Sequence, residues 1–293
     1  MRVLLAPGGL WPEPAGVPLV GLAGGLPAGC VAGCLARGWR SSRPDDVLTL
    51  LPMVDGGPGS AQAICPERIA SREAVQGRGP LGQVREVDLV RLVPGPQRAG
   101  SRRPGEGRTW FLDAARLLAL PADPDEGAQE ALQGSTYGLG QAIGAALSRT
   151  HSSDTLLVGL SRSAVHDGGA GALDALGGVA AAMDLLAGRS LGLVLADDIA
   201  LGGMNGAGAA LADVTSLGPR QAQELDRRAC AAATEAVNAT GAIRKSSSGG
   251  QRTLPVVSAL DGAQMSSASA AADSGGMGRL GSSVWGTGAA GGG

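Results

Sequence analysis

The clearest pattern along the chain is a series of short, uninterrupted apolar runs separated by stretches dense in glycine, proline and polar residues. Continuous runs are typical of strands buried on both faces, as in a parallel sheet, whereas half-exposed strands alternate apolar and polar positions. The continuous runs lie at residues 2–6, 47–51, 155–160 and 191–196. A partly alternating run at residues 84–93 predicts an exposed or edge strand.

Between these runs the apolar residues recur at helical spacing. This spacing predicts helices over residues 27–39, 171–187 and 219–239, and a further helix that Ser135 or Thr136 caps and that runs to about residue 149. Residues 109–120 begin like a strand and continue like a helix. Strands that alternate with helices indicate an α/β fold.

The character of the sequence changes after Gly241. Residues 242–293 are mostly serine, glycine and alanine, interrupted only by an apolar run at residues 254–260. A segment of this composition buries too little apolar surface to offset its ordering entropy, so we expect a largely disordered tail.

The composition limits the core and the classes of partner. Hydrophobic residues make up 44% of the chain but aromatic residues only 2%, so the core must be built from alanine, leucine and valine. The net charge of −2 and a pI near 5.7 give no general attraction to nucleic acid. Four cysteines in 293 residues do not form a disulfide scaffold, and we expect Cys30 and Cys34 to be small buried hydrophobes.

The longest uncharged apolar stretch, residues 15–36, could cross a bilayer by length alone. However, Pro18, Pro27 and many glycines disfavour a continuous helix, and Glu13 is out of place in a signal peptide. We therefore expect a soluble cytoplasmic protein that does not bind membranes.

Three glycine-rich loops follow predicted strands and carry aspartates. We call residues 52–60 the Asp55 loop and residues 159–171 the Asp167 loop; the third loop covers residues 196–208 and contains Asp197 and Asp198. In open α/β sheets, ligands bind outside the carboxyl ends of the strands, and glycines there let backbone N–H groups approach phosphate oxygens. An adjacent aspartate can hold Mg²⁺ or accept a hydroxyl proton. In a chain with 50 glycines, Asp-Gly-Gly is also an ordinary turn, so both interpretations stay open here.

The order of several segments resembles the glycerate kinase family over roughly residues 1–240. Residues 158–177 (VGLSRSAVHDGGAGALDALG) are similar to the family's loop Gly-Gly-Ser-Ala-Thr-Asn-Asp-Gly-Gly-Ala-Gly, and residues 51–60 (LPMVDGGPGS) to its Pro-Met-Ala-Asp-Gly-Gly-Glu-Gly-Thr motif. The first strand, a Gly-Pro-Leu-Gly element at residues 79–82, the helix start at residues 135–147 and an Asp…Asn-Gly-Ala region after Asp198 follow in the family's order.

This resemblance implies an ATP-dependent kinase that phosphorylates D-glycerate to a phosphoglycerate with Mg²⁺. It also implies two α/β domains: residues 1–62 as the N-terminal part of an incomplete flavodoxin-like domain and residues 63–241 as an inserted mixed α/β domain, followed by the tail at 242–293. Asp55, Asp167 and Asp198 are then the catalytic candidates, with Asp55 and Asp167 as Mg²⁺ ligands. The expected ligand-binding residues are Gly56, Gly57, Ser161, Arg162, Ser163, Gly168 and Gly169.

The sequence also departs from the family pattern. The family's Ala-Pro-Asp-Ser-Phe-Lys after the first strand is Ala6-Pro7-Gly8-Gly9-Leu10-Trp11 here, so an aspartate and a lysine are lost, and the family's later C-terminal region is absent. Arg162 either clamps an anion or, in place of a glycine, closes the phosphate cradle; His166 is either a base beside Asp167 or a hydrogen-bonding loop residue. The alternative to a kinase is therefore a catalytically retired member that binds a metabolite or a partner.

Overall fold

Strands and helices alternate along much of the chain in the computed structural model, which describes residues 1–10, 25–94, 107–196 and 199–247. The strands are β1 (Arg2–Leu5), β2 (Val47–Leu50), β3 (Ile69–Arg78), β4 (Val84–Leu92), β5 (Thr109–Leu112), β6 (Thr155–Leu160) and β7 (Ser190–Leu195). The α-helices are α1 (Ala28–Ser42), α2 (Ser60–Ala63), α3 (Ala115–Leu118), α4 (Pro124–Gln133), α5 (Tyr137–Leu147), α6 (Ala170–Ala175), α7 (Gly178–Leu186), α8 (Ala207–Val214) and α9 (Pro219–Ser247).

The strands form two sheets. β1 and β2 pair in parallel, with α1 packed beside them. The other sheet has the order β3-β4-β5-β6-β7, antiparallel from β3 to β5 and parallel from β5 to β7. The predicted α/β fold is confirmed, with one parallel and one mixed sheet.

The core of the mixed sheet is aliphatic, as the scarcity of aromatic residues predicts. Leu89, Leu112 and Leu156 are at most 1% exposed and pack with α3 and α5. The neighbouring aromatic residues of β5 serve opposite faces of the sheet: Trp110 joins this cluster, and Phe111 packs with Ala61 of α2 on the other side. Phe111 thereby connects the segment that precedes the mixed sheet in sequence to the sheet itself.

Two local predictions are wrong. β4 lies between β3 and β5 and is not an edge strand, although its first residues are partly exposed; the edge strands of this sheet are β3 and β7. The single helix predicted over residues 171–187 is split into α6 and α7, because Gly177 and Gly178 adopt φ angles of 87° and 89°, which a right-handed helix excludes.

The prediction for the cysteines is also wrong, since Cys30 and Cys34 are exposed on α1. α9 continues past Gly241 to Ser247, six residues into the segment predicted as a tail, and residues 248–293 lie outside the described residues. The predicted boundary between residues 62 and 63 falls inside α2, and the domain division stays a prediction.

Candidate functional site

The described glycine-rich loops meet at one edge of the mixed sheet. β5, β6 and β7 run in the same direction, so their carboxyl ends lie together, and the Asp167 loop begins where β6 ends. The Asp55 loop, which follows β2, packs against the same ends of β6 and β7 through Gly56. This edge is therefore the candidate functional site.

Gly56 is the closest point of this approach. Its φ is 93°, and a Cβ at this position would overlap the carbonyl oxygen of Val194 near the end of β7. Its own carbonyl oxygen lies 3.2 Å from the position of a Cβ on Gly159 in β6. Only glycine allows the backbone of the Asp55 loop to lie so close to the two strand ends.

The two oxygens of the Asp55 carboxylate have different surroundings. Oδ1 accepts hydrogen bonds from Gly57 N at 2.9 Å and from the Ser60 hydroxyl at 3.1 Å. The Ser60 oxygen in turn accepts from Gly56 N at 3.0 Å. Oδ2 instead faces Gly8 in the loop after β1, and no hydrogen bond to it is recorded from the described residues. One oxygen thus holds the loop together and the other is directed toward the neighbouring loop.

The Asp167 carboxylate is enclosed by donors from its own chain. Oδ2 accepts from Thr136 N at 2.8 Å and from Gly171 N at 3.2 Å, and Oδ1 accepts from Gly169 N at 2.9 Å. The Thr136 hydroxyl lies 3.0 Å from Oδ1 and 2.8 Å from Oδ2, and the Ser135 hydroxyl is 3.5 Å from Oδ2. Asp167 therefore ties the start of α5 to the Asp167 loop.

The remaining predicted residues of this loop lie close by. The Ser163 hydroxyl accepts from Val165 N at 3.1 Å, Ser161 is half-buried, and Arg162 is exposed. Gly168 and Gly169 have φ angles of 64° and 79° and precede α6. Asp198, together with Asp197, lies outside the described residues.

A pocket of about 460 Å³ opens behind the Asp167 loop, and we call it the α6–α7 pocket. Its lining includes Ser161, Ser163, Asp167, Gly168 and Gly169, and otherwise it is mainly apolar. Asp55 is not among the residues that line it. The two Asp-Gly-Gly loops share an edge of the sheet, but this pocket belongs to the Asp167 loop.

A buried carboxyl at the end of β5, that of Asp113, was missed in the sequence. It is 0% exposed, its Oδ2 accepts from Ala61 N at 3.1 Å, and its Oδ1 has no hydrogen-bond partner in the described residues. Burial raises the pKa of Asp113 to about 6, although the hydrogen bond from Ala61 acts in the opposite direction. An aspartate directly after a buried strand is the same signal that marks the other loops.

A second missed group is the pair formed by His166 and Asp226. Nε2 of His166 lies 2.7 Å from Oδ1 of Asp226 on α9, and the same oxygen accepts from Gly208 N at 2.9 Å. His166 is only 5% exposed. Its recorded partner is therefore Asp226 and not Asp167, and it fastens the Asp167 loop to α8 and α9.

We expect Asp226→Ala to lower the free energy of unfolding by about 2 kcal/mol, because His166 and Gly208 N would lose their acceptor inside the protein. The matched control is Glu224→Ala on the same helix, which removes an exposed ion pair with Arg227 and should change stability by less than about 0.5 kcal/mol. Urea unfolding followed by circular dichroism measures both. Equal effects of the two substitutions would contradict the assignment.

In the described ranges, no three His, Cys, Asp or Glu side chains are grouped so that they could hold a metal ion. The same ranges contain no helix that is long and apolar enough to span a membrane.

Comparison with known proteins gives consistent results. The chain is 33% identical over 154 residues to a glycerate kinase of Bacillus subtilis, and this match covers 50% of this chain and 35% of that protein. It is 29% identical over 152 residues to a glycerate 2-kinase of Escherichia coli K12, and this match covers 52% of this chain and 36% of that protein. The chain thus spans about a third of the length of these curated relatives.

The fold agrees with a crystal structure described as glycerate kinase 2 of Salmonella typhimurium LT2. The TM-score is 0.50 at 22% sequence identity, and the match covers 80% of this chain and 62% of that chain. The family model for the glycerate kinase family matches residues 21–292. Since that match extends over most of the sequence, the chain belongs to the glycerate kinase family.

Proposed function

We propose that the chain carries the active site of a phosphotransferase that transfers a phosphoryl group from ATP to a hydroxyl of D-glycerate, giving a phosphoglycerate. The observation that carries the proposal is the meeting of the Asp55 loop and the Asp167 loop at the carboxyl ends of β6 and β7. Strand ends of this kind are where open α/β sheets bind their ligands. The family membership supports the kinase class, and ATP, Mg²⁺ and D-glycerate belong to the proposal.

Asp55 is the residue proposed to hold Mg²⁺. Its Oδ2 lies so close to Gly8 that a Cβ there would overlap it, while Oδ1 is fixed by Gly57 N and Ser60. Mg²⁺ in phosphoryl-transfer sites is usually held by one or two carboxylates together with substrate phosphates, which fits a single available oxygen. When bound, the ion would neutralise charge on the transferring phosphoryl group.

Asp167 takes a positioning role in this proposal. Its oxygens already accept hydrogen bonds from Thr136, Gly169 and Gly171, so they hold the loop in place rather than remaining available for a ligand. The groups proposed to contact the substrate or phosphate lie on the loops themselves and are Gly56, Gly57, Ser161, Arg162, Ser163, Gly168 and Gly169. Asp198 remains a proposed catalytic carboxylate on sequence grounds alone.

We expect Asp55→Asn to lower kcat for ADP release from Mg-ATP and D-glycerate by about 100-fold, the scale of removing one preorganised electrostatic group. The amide keeps the size of the side chain but not its charge. Asp45→Asn, an exposed aspartate in the turn before β2, is the control and should retain wild-type turnover.

A coupled assay of ADP release measures both variants, and thermal unfolding confirms that they are folded. The assignment of Asp55 fails if Asp55→Asn keeps more than half of the wild-type turnover. The kinase proposal itself fails if the wild-type chain releases no ADP above the background without glycerate.

The second candidate is a catalytically retired family member that binds a small molecule. It is favoured by the apolar lining of the α6–α7 pocket, together with Gly8 and Trp11 at the positions where the family pattern has an aspartate and a lysine. Equilibrium binding of ATP or glycerate without turnover would favour this function over the first.

A further inference from the structure

The α6–α7 pocket has a lining unsuited to a small anionic substrate. Its body lies among β6, β7, α5, α6 and α7, and its walls there are hydrocarbon side chains. These wall residues include Leu139, Ile143, Leu176, Met183, Leu186 and Leu193. A carboxylate or phosphate would lose its hydration here without gaining enough hydrogen bonds in exchange.

The size of the pocket sets it apart from a packing defect. Protein interiors leave few voids larger than a water molecule, whereas ligand pockets occupy about 300–1,000 Å³ and are mostly apolar with a few polar groups. The pocket measures about 460 Å³. Its outer wall is only partly buried, since no residue of α6 and only Ala182 of α7 is fully buried. Apolar side chains of both helices, among them Ala172, Leu173 and Met183, border the pocket.

One end of the pocket offers hydrogen bonds. Ser161, Ser163 and His166 line it where β6 ends. Nε2 of His166 is bonded to Asp226, and among the described residues no hydrogen bond to its Nδ1 is recorded. These groups suit a hydroxyl, which both donates and accepts.

The charges at the two ends favour an uncharged occupant. The Asp167 carboxylate lines the pocket beside the serines and would repel an anion. Arg189, which also lines the pocket, precedes β7 at the opposite end of the strands, where its Nη1 donates to the Leu147 and Thr150 carbonyls. The Arg189 guanidinium therefore lies at the end of the pocket opposite the serines and already donates hydrogen bonds to backbone carbonyls.

We infer that the α6–α7 pocket binds an uncharged, mainly hydrocarbon molecule that carries a hydroxyl group, with the hydroxyl at Ser161, Ser163 and His166. The hydrocarbon part lies between α6, α7 and the strands β6 and β7. Its polar end uses Ser161 and Ser163, which are also among the residues proposed to contact the substrate or phosphate, whereas the hydrocarbon walls of the pocket have no part in that proposal.

Straight-chain alcohols test the inference on the wild-type chain. Titration calorimetry with hexan-1-ol, octan-1-ol and decan-1-ol should show saturable binding of one molecule per chain. The affinity should rise about fourfold for each added methylene, the equivalent of about 0.8 kcal/mol per buried CH₂. Decanoate should bind at least tenfold more weakly than decan-1-ol.

Filling the pocket should abolish this binding. Ala182 and Ala172 both line the pocket, and we expect Ala182→Leu and Ala172→Leu each to weaken decan-1-ol binding at least tenfold. The matched control, Ala180→Leu, adds the same side chain at a position of α7 that does not line the pocket, and should bind like the wild type. Far-UV circular dichroism and cooperative thermal unfolding identify any variant that fails to fold. If one of the two filling variants does not fold, the other is compared with the wild type.

Three results would overturn the inference. One is an absence of saturable binding by the wild type, which would also be the outcome if another part of the chain fills the space. Another is tighter binding of decanoate than of decan-1-ol. The third is unchanged decan-1-ol affinity in a folded Ala182→Leu or Ala172→Leu variant.

Discussion

Asp167→Ala is expected to lower the free energy of unfolding by about 4 kcal/mol, among the largest effects that a single substitution produces. The carboxylate accepts from Thr136 N and its hydroxyl, from Gly169 N and from Gly171 N, at distances between 2.8 and 3.2 Å. Hydrogen bonds to a charged group contribute about 1.5–3 kcal/mol each and are not additive. Alanine would leave all these donors without an acceptor at once.

Two further variants distinguish the loss of the hydrogen bonds to Asp167 from a general effect of removing a negative charge. Asp167→Asn keeps one acceptor oxygen but turns an NH₂ group toward backbone donors, so its loss of stability should be intermediate. Asp174→Ala removes an exposed carboxylate from α6 and should cost less than about 0.5 kcal/mol. Urea unfolding gives the three values. If Asp167→Ala lies within about 1 kcal/mol of the wild type, the carboxylate does not hold the loop.

The elements predicted from sequence are those whose signal is local. The apolar runs at 47–51, 155–160 and 191–196 became β2, β6 and β7. The predicted burial on both faces is wrong for β2, whose Val47 and Leu50 are 60% and 41% exposed. The Asp167 loop follows β6 of the mixed sheet, whereas the Asp55 loop follows β2 of the other sheet and reaches the same edge through the contacts of Gly56. The family resemblance was also visible in the order of short motifs, and the family match confirms it.

The elements missed are those whose signal lies elsewhere in the chain. β3 is rich in charged residues and is a strand because it pairs with β4 from Arg78 opposite Val84 to Ile69 opposite Leu92. α4 is polar on balance; it starts at Pro124, and Asp123 caps it by accepting from Asp125 N at 2.8 Å. Pairing and packing partners, not local propensity, decide such segments.

The site residues follow the same division. Asp55 and Asp167 were predicted as site residues because each stands beside glycines after a strand, and their roles stay a prediction. His166 and Asp226 are 60 positions apart in sequence, and no local sequence pattern predicts their contact. Asp113 did carry a local signal, but its position before an alanine-rich helical run suggested the start of that helix instead. Sequence thus locates the loops, and the structure adds what holds them.

Two buried carboxyl groups should make the protein less stable as the pH rises from about 4 to about 7. Burial raises the pKa of Asp113 from 3.8 to about 6 and that of Glu130 from 4.5 to about 7. Glu130 is 0% exposed, neither of its oxygens has a hydrogen-bond partner in the described residues, and the nearest cation, Arg85, is 3.9 Å away. Glu126 on the same helix raises the pKa further.

The direction follows from proton binding. A carboxyl whose pKa is higher in the folded state binds more protons there than in the unfolded chain, so raising the pH between the two values lowers the free energy of unfolding. A tenfold change in proton affinity corresponds to about 1.4 kcal/mol, so ionisation of Asp113 and of Glu130 between pH 4 and pH 7 lowers the free energy of unfolding by about 2 to 3 kcal/mol each. Asp154 has the opposite effect. Hydrogen bonds from His151 N, Arg108 N and Trp110 outweigh burial and lower its pKa, so protonation of Asp154 at acidic pH lowers the free energy of unfolding.

Glu130→Gln isolates one of these groups, because the amide cannot ionise. The variant should gain about 3 kcal/mol relative to the wild type between pH 4 and pH 8, whatever fixed cost the buried amide adds at both values. Urea unfolding of the variant and of the wild type at pH 4 and at pH 8 measures how the stability difference between the two proteins changes with pH. Glu235→Gln, which replaces an exposed glutamate on α9, should show a constant difference from the wild type. If Glu130→Gln also shows a constant difference across this range, Glu130 ionises in the folded protein as it does in the unfolded chain, and burial does not raise its pKa.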